Sequence, residues 1–252
     1  MVETEKKKRK TPDGVSTNDL VHSAFVGTND GLFPHVARLH IPKGSLVADV
    51  TYGKGVFWKS VDLRDYKLFK SDIKISRVNK KTLNETENNS LIADCCFLPY
   101  PNNKFDAVVF DPPYMHTPGG SAHTNHQNYE EYYGNNTPLG STGAKYHDAV
   151  LELYFFAAKE AFRVIKDGGI YIVKCQDEVC ANQQRLTHVE IINEITQYGF
   201  VTDDLFVLVR NSKPGVSRML NQYHARKNHS YFLVFRKSIN GRRTPKKSLQ
   251  KP

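Results

Sequence analysis

No apolar run in the 252-residue chain approaches the roughly 20 residues that a bilayer-crossing helix requires, so no membrane span is expected. The first ten residues are charged and lack an apolar stretch, so no secretory signal is expected there. Internal repeats are absent. The four cysteines, Cys95, Cys96, Cys175 and Cys180, do not have the paired spacing of a zinc site. They read as reduced, buried thiols of an intracellular protein. His116, His123 and His126 share a long polar stretch without a fixed ligand spacing, so no metal is expected. The most telling absence is of negative charge. After Asp204 no acidic residue occurs, whereas twelve of the 35 lysines and arginines lie there. A near-neutral body with a positive C-terminal fifth suits a polyanionic partner, because each phosphate contact releases counterions.

Residues 1–20 have no periodic apolar pattern and include Lys6, Lys7, Lys8, Arg9 and Lys10, so they read as a disordered basic arm. Residues 239–252 read as a matching basic tail. Between them, 21–238 forms one domain in which strand-like and helix-like runs alternate. Strands are predicted at 45–51, 67–71, 90–93, 105–110 and 170–174. Helices follow at 147–166 and 189–198, the first stopped by Gly168-Gly169 and the second by Gly199. Two late strands, 205–210 and 231–236, have no helix between them. The alternation predicts an α/β fold with a mostly parallel sheet and an antiparallel hairpin at one edge. A loop at 115–145 interrupts the rhythm. It starts at the carboxyl end of a central strand, where open α/β sheets bind ligands.

Two motifs carry the chemistry. In the first, Asp49-Val50-Thr51-Tyr52-Gly53-Lys54-Gly55, a strand ends in a carboxylate and turns on two glycines, which let the backbone approach a ligand closely. Asp72 and Asp94 follow the next two strands. Carboxylates there can accept hydrogens from ribose hydroxyls and from an adenine amine. In the second, Asp111-Pro112-Pro113-Tyr114, a strand ends in an acid held by a rigid double-proline turn and followed by an aromatic ring. An exocyclic amine is a poor nucleophile because its lone pair is delocalised into the base. Two acceptors on its hydrogens localise that pair: the Asp111 carboxylate and the Pro112 carbonyl. Tyr114 offers a face on which a base can stack.

These two motifs resemble motifs I and IV of the amino-methyltransferases that act on N6 of adenine or N4 of cytosine. Residues 162–173 and 227–236 are similar to the helix–Gly-Gly–strand segment and the closing strand of DNA methylases. The resemblance spans roughly residues 25–237. It implies the Rossmann-like class I methyltransferase fold, with a seven-stranded sheet, and S-adenosyl-L-methionine as cofactor. It assigns cofactor binding to Asp49, Thr51, Gly53, Gly55, Asp72 and Asp94. It assigns catalysis and base binding to Asp111, Pro112, Pro113 and Tyr114. Phe25–Asp30 is the segment expected to close over the methionine end.

No separate recognition domain is visible, so substrate reading falls to the 115–145 and 211–228 loops. Lys213, Arg218, Arg226 and Lys227, with Tyr223 among them, are the candidate nucleic-acid contacts. The lead expectation is a DNA adenine-N6 methyltransferase. Ser-Pro-Pro-Tyr is the commoner form in the cytosine-N4 enzymes. The competing expectations are a cytosine-N4 DNA methyltransferase, a methyltransferase of an RNA base (adenine N6 or guanine N2), and a nucleic-acid-binding protein on an inactive methyltransferase fold. A cytoplasmic protein is expected, nucleoid-associated in a prokaryote, although 6–10 also fits a nuclear signal.

Overall fold

The apolar runs become strands because their side chains can be buried on both faces of a covered parallel sheet. The computed structural model describes residues 20–73, 90–113, 144, 146–211 and 221–238. Its strands are β1 (Ala24–Val26), β2 (Leu46–Asp49), β3 (Lys67–Asp72), β4 (Ser90–Ile92), β5 (Phe105–Phe110), β6 (Ile165–Cys175), β7 (Glu178–Cys180), β8 (Gln183–Arg185), β9 (Phe200–Val209) and β10 (His229–Lys237). Its helices are α1 (Asn29–His40), α2 (His147–Val164) and α3 (Thr187–Gln197). None of the described helices is long and apolar enough to cross a membrane.

Eight strands form one sheet in the order β1-β9-β10-β6-β5-β2-β3-β4, and β7 and β8 form a separate antiparallel pair. Within the large sheet only β10 runs against its neighbours. It is wedged between β6 and β9. The expected mostly parallel class I architecture is therefore present, with one strand more than the seven expected. The added strand is β1, which pairs parallel with β9 at the outer edge. Gly27 N–H continues the ladder to the Val209 carbonyl at 3.0 Å.

Side-chain alternation splits the core between the two faces. On one face, Val47, Ala107, Val109, Ile170, Ile172 and Phe232 pack under Leu32, Phe33 and Val36 of α1 and under Phe57 and Trp58. On the other face, Ala48, Val108, Phe110, Tyr171 and Val173 pack under α2 and α3. The α1 face carries the site.

Three local readings change. α1 was not foreseen as a helix, because Gly31 and Pro34 inside it hide its period. The stretch 166–169, read as the stop of α2, belongs to β6: the helix ends at Val164 and Ile165 already pairs with Phe105. Two basic residues counted in the positive C-terminal surface are structural. Arg236 donates to Asp203 at 2.7 Å and to the Gly168 carbonyl at 2.9 Å. The buried Lys237 ammonium donates to Asn103 Oδ1 and to the carbonyls of Phe162 and Ile165, all within 2.9 Å.

Candidate functional site

The carboxyl ends of β2, β3, β4 and β5 bring the two sequence motifs together. Asp49 closes β2 and points to the α1 face. One of its oxygens accepts from Thr51 N at 3.1 Å and the other from Trp58 Nε1 at 2.7 Å. Asp49 is thus the anchor of the turn that follows it. Gly53 and Gly55 both adopt positive φ, 48° and 64°, which a side chain would disfavour. A Cβ on Gly55 would also lie 2.5 Å from the Tyr52 hydroxyl oxygen. At the end of β3, Asp72 Oδ2 accepts from Gly53 N at 2.9 Å and holds the glycine turn from the neighbouring strand. Beyond β4, Asp94 Oδ1 accepts from Cys96 N at 2.8 Å.

Thr51 joins the two motifs. Its hydroxyl oxygen accepts the backbone N–H of Asp111 at 2.7 Å. Asp111 itself stands one residue past β5. Its Oδ1 is buried and makes no hydrogen bond among the described residues. Pro112 and Pro113 follow without a cis peptide bond in the described backbone. Tyr114 lies outside the described residues, as do nearly all of the 115–145 loop, both terminal arms, Lys213 and Arg218.

Two remaining basic candidates are placed. Arg226 is exposed and Lys227 half-buried, with the Lys227 carbonyl accepting from Gln176 Nε2 at 3.2 Å. Tyr223 is exposed to 74%. His224 in the same segment contacts the carbonyl of Asn182 in the β7–β8 turn at 3.0 Å. The segment after β9 therefore lies beside the carboxyl end of β6.

Sequence reasoning missed two residues that the fold brings to this site. Trp58 caps Asp49. Lys174, on β6, is fully buried, and its ammonium donates to Asn29 Oδ1 at the start of α1, at 3.0 Å. A lysine ending the run Ile170-Tyr171-Ile172-Val173 was the available signal. The thiols also need correction. All four are free, but only Cys96 and Cys175 are buried; Cys95 and Cys180 are partly exposed. Asp94, Cys95 and Cys96 place one ligand atom each within 4.8 Å of one another, a grouping the spacing argument did not anticipate.

Burial decides the electrostatics. Desolvation pushes the Asp49 carboxyl up to about 7 against the lowering effect of its Trp58 and Thr51 hydrogen bonds, with Asp111 and Asp72 adding repulsion. Desolvation also raises Asp111, while Lys174 and Arg210 pull it back down. For Asp49 the folded value exceeds the unfolded one, so the folded state holds the extra proton and stability falls as pH rises from about 4 to 7. The ceiling is about 4 kcal/mol, since moving a titration midpoint by one pH unit is worth roughly 1.4 kcal/mol. Asp49→Asn is therefore expected to flatten the loss of stability between pH 5 and pH 8 by at least about 1 kcal/mol. Urea denaturation of both proteins at the two pH values measures this. An equal loss in both would contradict it.

A family model described as DNA methylase matches residues 105–252, more than half of the chain. No curated protein matches significantly. Among solved structures, the cyclase SpnF superposes with a TM-score of 0.50 at 18% identity, over 83% of this chain and 82% of its own. A Methanosarcina mazei SAM-dependent methyltransferase gives 0.49 at 12% identity, over 81% and 97%. A candidate DNA modification methylase of Thermus thermophilus, solved with S-adenosyl-L-methionine, gives 0.38 at 20% identity, over 61% and 56%. Of these likenesses only the first, at 0.50, bears on the fold, and on the fold alone. The family match is what establishes that this chain belongs to the N6/N4 DNA methylases, enzymes that draw their methyl group from S-adenosyl-L-methionine.

Proposed function

We propose that the protein methylates the N6 amine of adenine in DNA. The observation that carries this reading is Asp111: an acidic side chain at the end of β5 with a buried oxygen that makes no hydrogen bond among the described residues. Such an oxygen is an acceptor awaiting a donor, since buried polar atoms are normally paired. An aspartate at this place, where Ser-Pro-Pro-Tyr is the commoner cytosine-N4 form, favours adenine.

The residues present fit the cofactor. The turn at 53–55 has a backbone conformation that glycine accepts readily, and Asp72 and Asp94 stand at the ends of adjacent strands. Gly53 and Gly55 would let the cofactor approach the backbone, and Asp72 and Asp94 would accept from its ribose and adenine groups. Thr51 would hold the turn against the catalytic strand, and Asp49 would anchor it from beneath. When bound, S-adenosyl-L-methionine supplies an electrophilic methyl group on a sulfonium.

The chain's own groups do the rest. Asp111 accepts one hydrogen of the target amine, and the Pro112 carbonyl accepts the other. Together they localise the nitrogen lone pair toward the methyl. Tyr114 stacks on the base once it has left the duplex. Arg226 and Lys227, with Lys213 and Arg218, hold the phosphates.

The test uses labelled S-adenosyl-L-methionine with double-stranded DNA, single-stranded DNA and RNA, followed by nucleoside mass spectrometry. N6-methyladenine in DNA is expected. Label only in RNA, only on protein, or at N4 of cytosine would overturn the reading.

A further inference from the structure

We propose that Lys174 is a positioning residue: the buried cation at the adjacent strand end that keeps Asp111 ionised for the substrate amine. The proposal rests on the reading of Asp111 as the amine's acceptor.

The sheet register places the two residues side by side. Phe110 of β5 pairs with Val173 of β6, so Asp111 and Lys174 are the next positions along two parallel neighbours. Alternation then puts both on the α1 face. Phe110 and Val173 belong to the opposite face, and Val109 and Ile172 to this one. Lys174 also reaches that face by observation: its ammonium lies 5.0 Å from the centre of the Phe232 ring and bonds to Asn29 of α1.

A fully buried ammonium is costly, by several kcal/mol even after relaxation. Asn29 supplies it with a neutral oxygen. The neighbouring carboxylate bears on it through charge. Burial disfavours the ionised form of Asp111, and a protonated Asp111 has lost much of its power as an acceptor. A cation at the adjacent strand end opposes that effect. Each group bears on the other electrostatically: Lys174 lowers the Asp111 carboxyl, and Asp111 raises the Lys174 ammonium against its desolvation.

The remaining charged neighbours do not substitute for it. Asp49 on β2 is like-charged with Asp111 and repels it. Arg210, after β9, also lowers Asp111, but less than Lys174 does. It is only partly buried. From α1 the facing group is Asn29, which is uncharged.

The direct readout is the titration of the Asp111 side chain in the cofactor-free full-length protein. It is followed by carbon-13 NMR of labelled aspartate and assigned by the signal that Asp111→Asn removes. In Lys174→Met the midpoint is expected to rise by at least about one pH unit. Lys174→Arg should return most of that rise, and Asn29→Ala should give a smaller rise in the same direction. In turnover on double-stranded DNA, Lys174→Met should lower kcat about tenfold at pH values below both midpoints, the factor to which such a rise in midpoint converts, and by less above them. The acid limb of its kcat profile should move to higher pH, with KM for DNA within about threefold. A midpoint unchanged in Lys174→Met overturns the proposal, as does an unmoved acid limb alongside a lower kcat. Should Lys174→Met fail to fold, Asn29→Ala and Lys174→Gln decide on the same titration. Activity retained by Asp111→Asn would instead sink the reading of Asp111. An inactive Asp111→Asn beside a Lys174→Met of normal titration sinks only the role of Lys174.

Discussion

Asp111→Asn is expected to cut methyl transfer by about 10²–10³-fold or more while leaving affinity for S-adenosylhomocysteine within about threefold, in line with the loss of one preorganised polar group in other active sites. The asparagine keeps the shape of the side chain and an oxygen acceptor. What it removes is the negative charge, and it sets an amide donor where an acceptor is needed. Cofactor affinity is spared because Asp111 is tied to the glycine turn through its backbone N–H, which bonds to Thr51 whatever the side chain. Stability reflects two opposed effects, relief of the desolvated carboxylate and loss of the charge that supports the buried Lys174 ammonium. Calorimetry on the inhibitor and single-turnover transfer measure the two sides. Activity within about tenfold of the parent would show that the charge of Asp111 is not what activates the amine.

Gly169→Ala will lower stability by about 3 kcal/mol or more, the upper range for overpacking, whereas Gly168→Ala will cost only about 1 kcal/mol. The two glycines are adjacent but differ in what surrounds them. A Cβ on Gly169 would lie 2.6 Å from Ile165 Cγ2, 2.8 Å from the Asp106 carbonyl and 2.9 Å from the Lys166 carbonyl. Two of these three are backbone atoms, one on the neighbouring β5 and one in the irregular stretch of β6 itself, so relief requires the backbone to shift where β5 meets β6. A Cβ on Gly168 meets nothing within 4 Å and suffers only from φ of +78°. Urea denaturation ranks the variants. The site hangs on this pair of strands, so Gly169→Ala should also lose activity in proportion to unfolding. Equal stability of the two variants would refute the packing argument.

Wherever one buried run gave a clear pattern, the elements were legible in the sequence. The run 105–110 is β5 to the residue, and 67–71 differs from β3 only by Asp72. The motif carboxylates could be located because each lies at or just past the carboxyl end of such a run. The edges of the sheet were harder. β1 has only three residues, with just the central one partly buried, so no period is available to read. The hairpin of β7 and β8 is polar and just as short. Lys174 was hidden for a different reason. Its burial depends on β10 and α1, which come from opposite ends of the chain and meet it only in the folded sheet. The double duty of Asp49 was equally hidden, because its partner Trp58 is brought back by a short 3-10 turn at Val56–Trp58.

The bond between the Thr51 hydroxyl and the Asp111 amide has a thermodynamic consequence. It ties together the loops that leave the paired strands β2 and β5, the first proposed to serve the cofactor and the second the base. Ordering either loop prepays part of the entropy of ordering the other. Affinity gained by the second ligand in the presence of the first must be returned in equal measure when the order is reversed. On the proposed function, this one hydroxyl is expected to make the two substrates cooperative in binding, beyond whatever their own contact contributes.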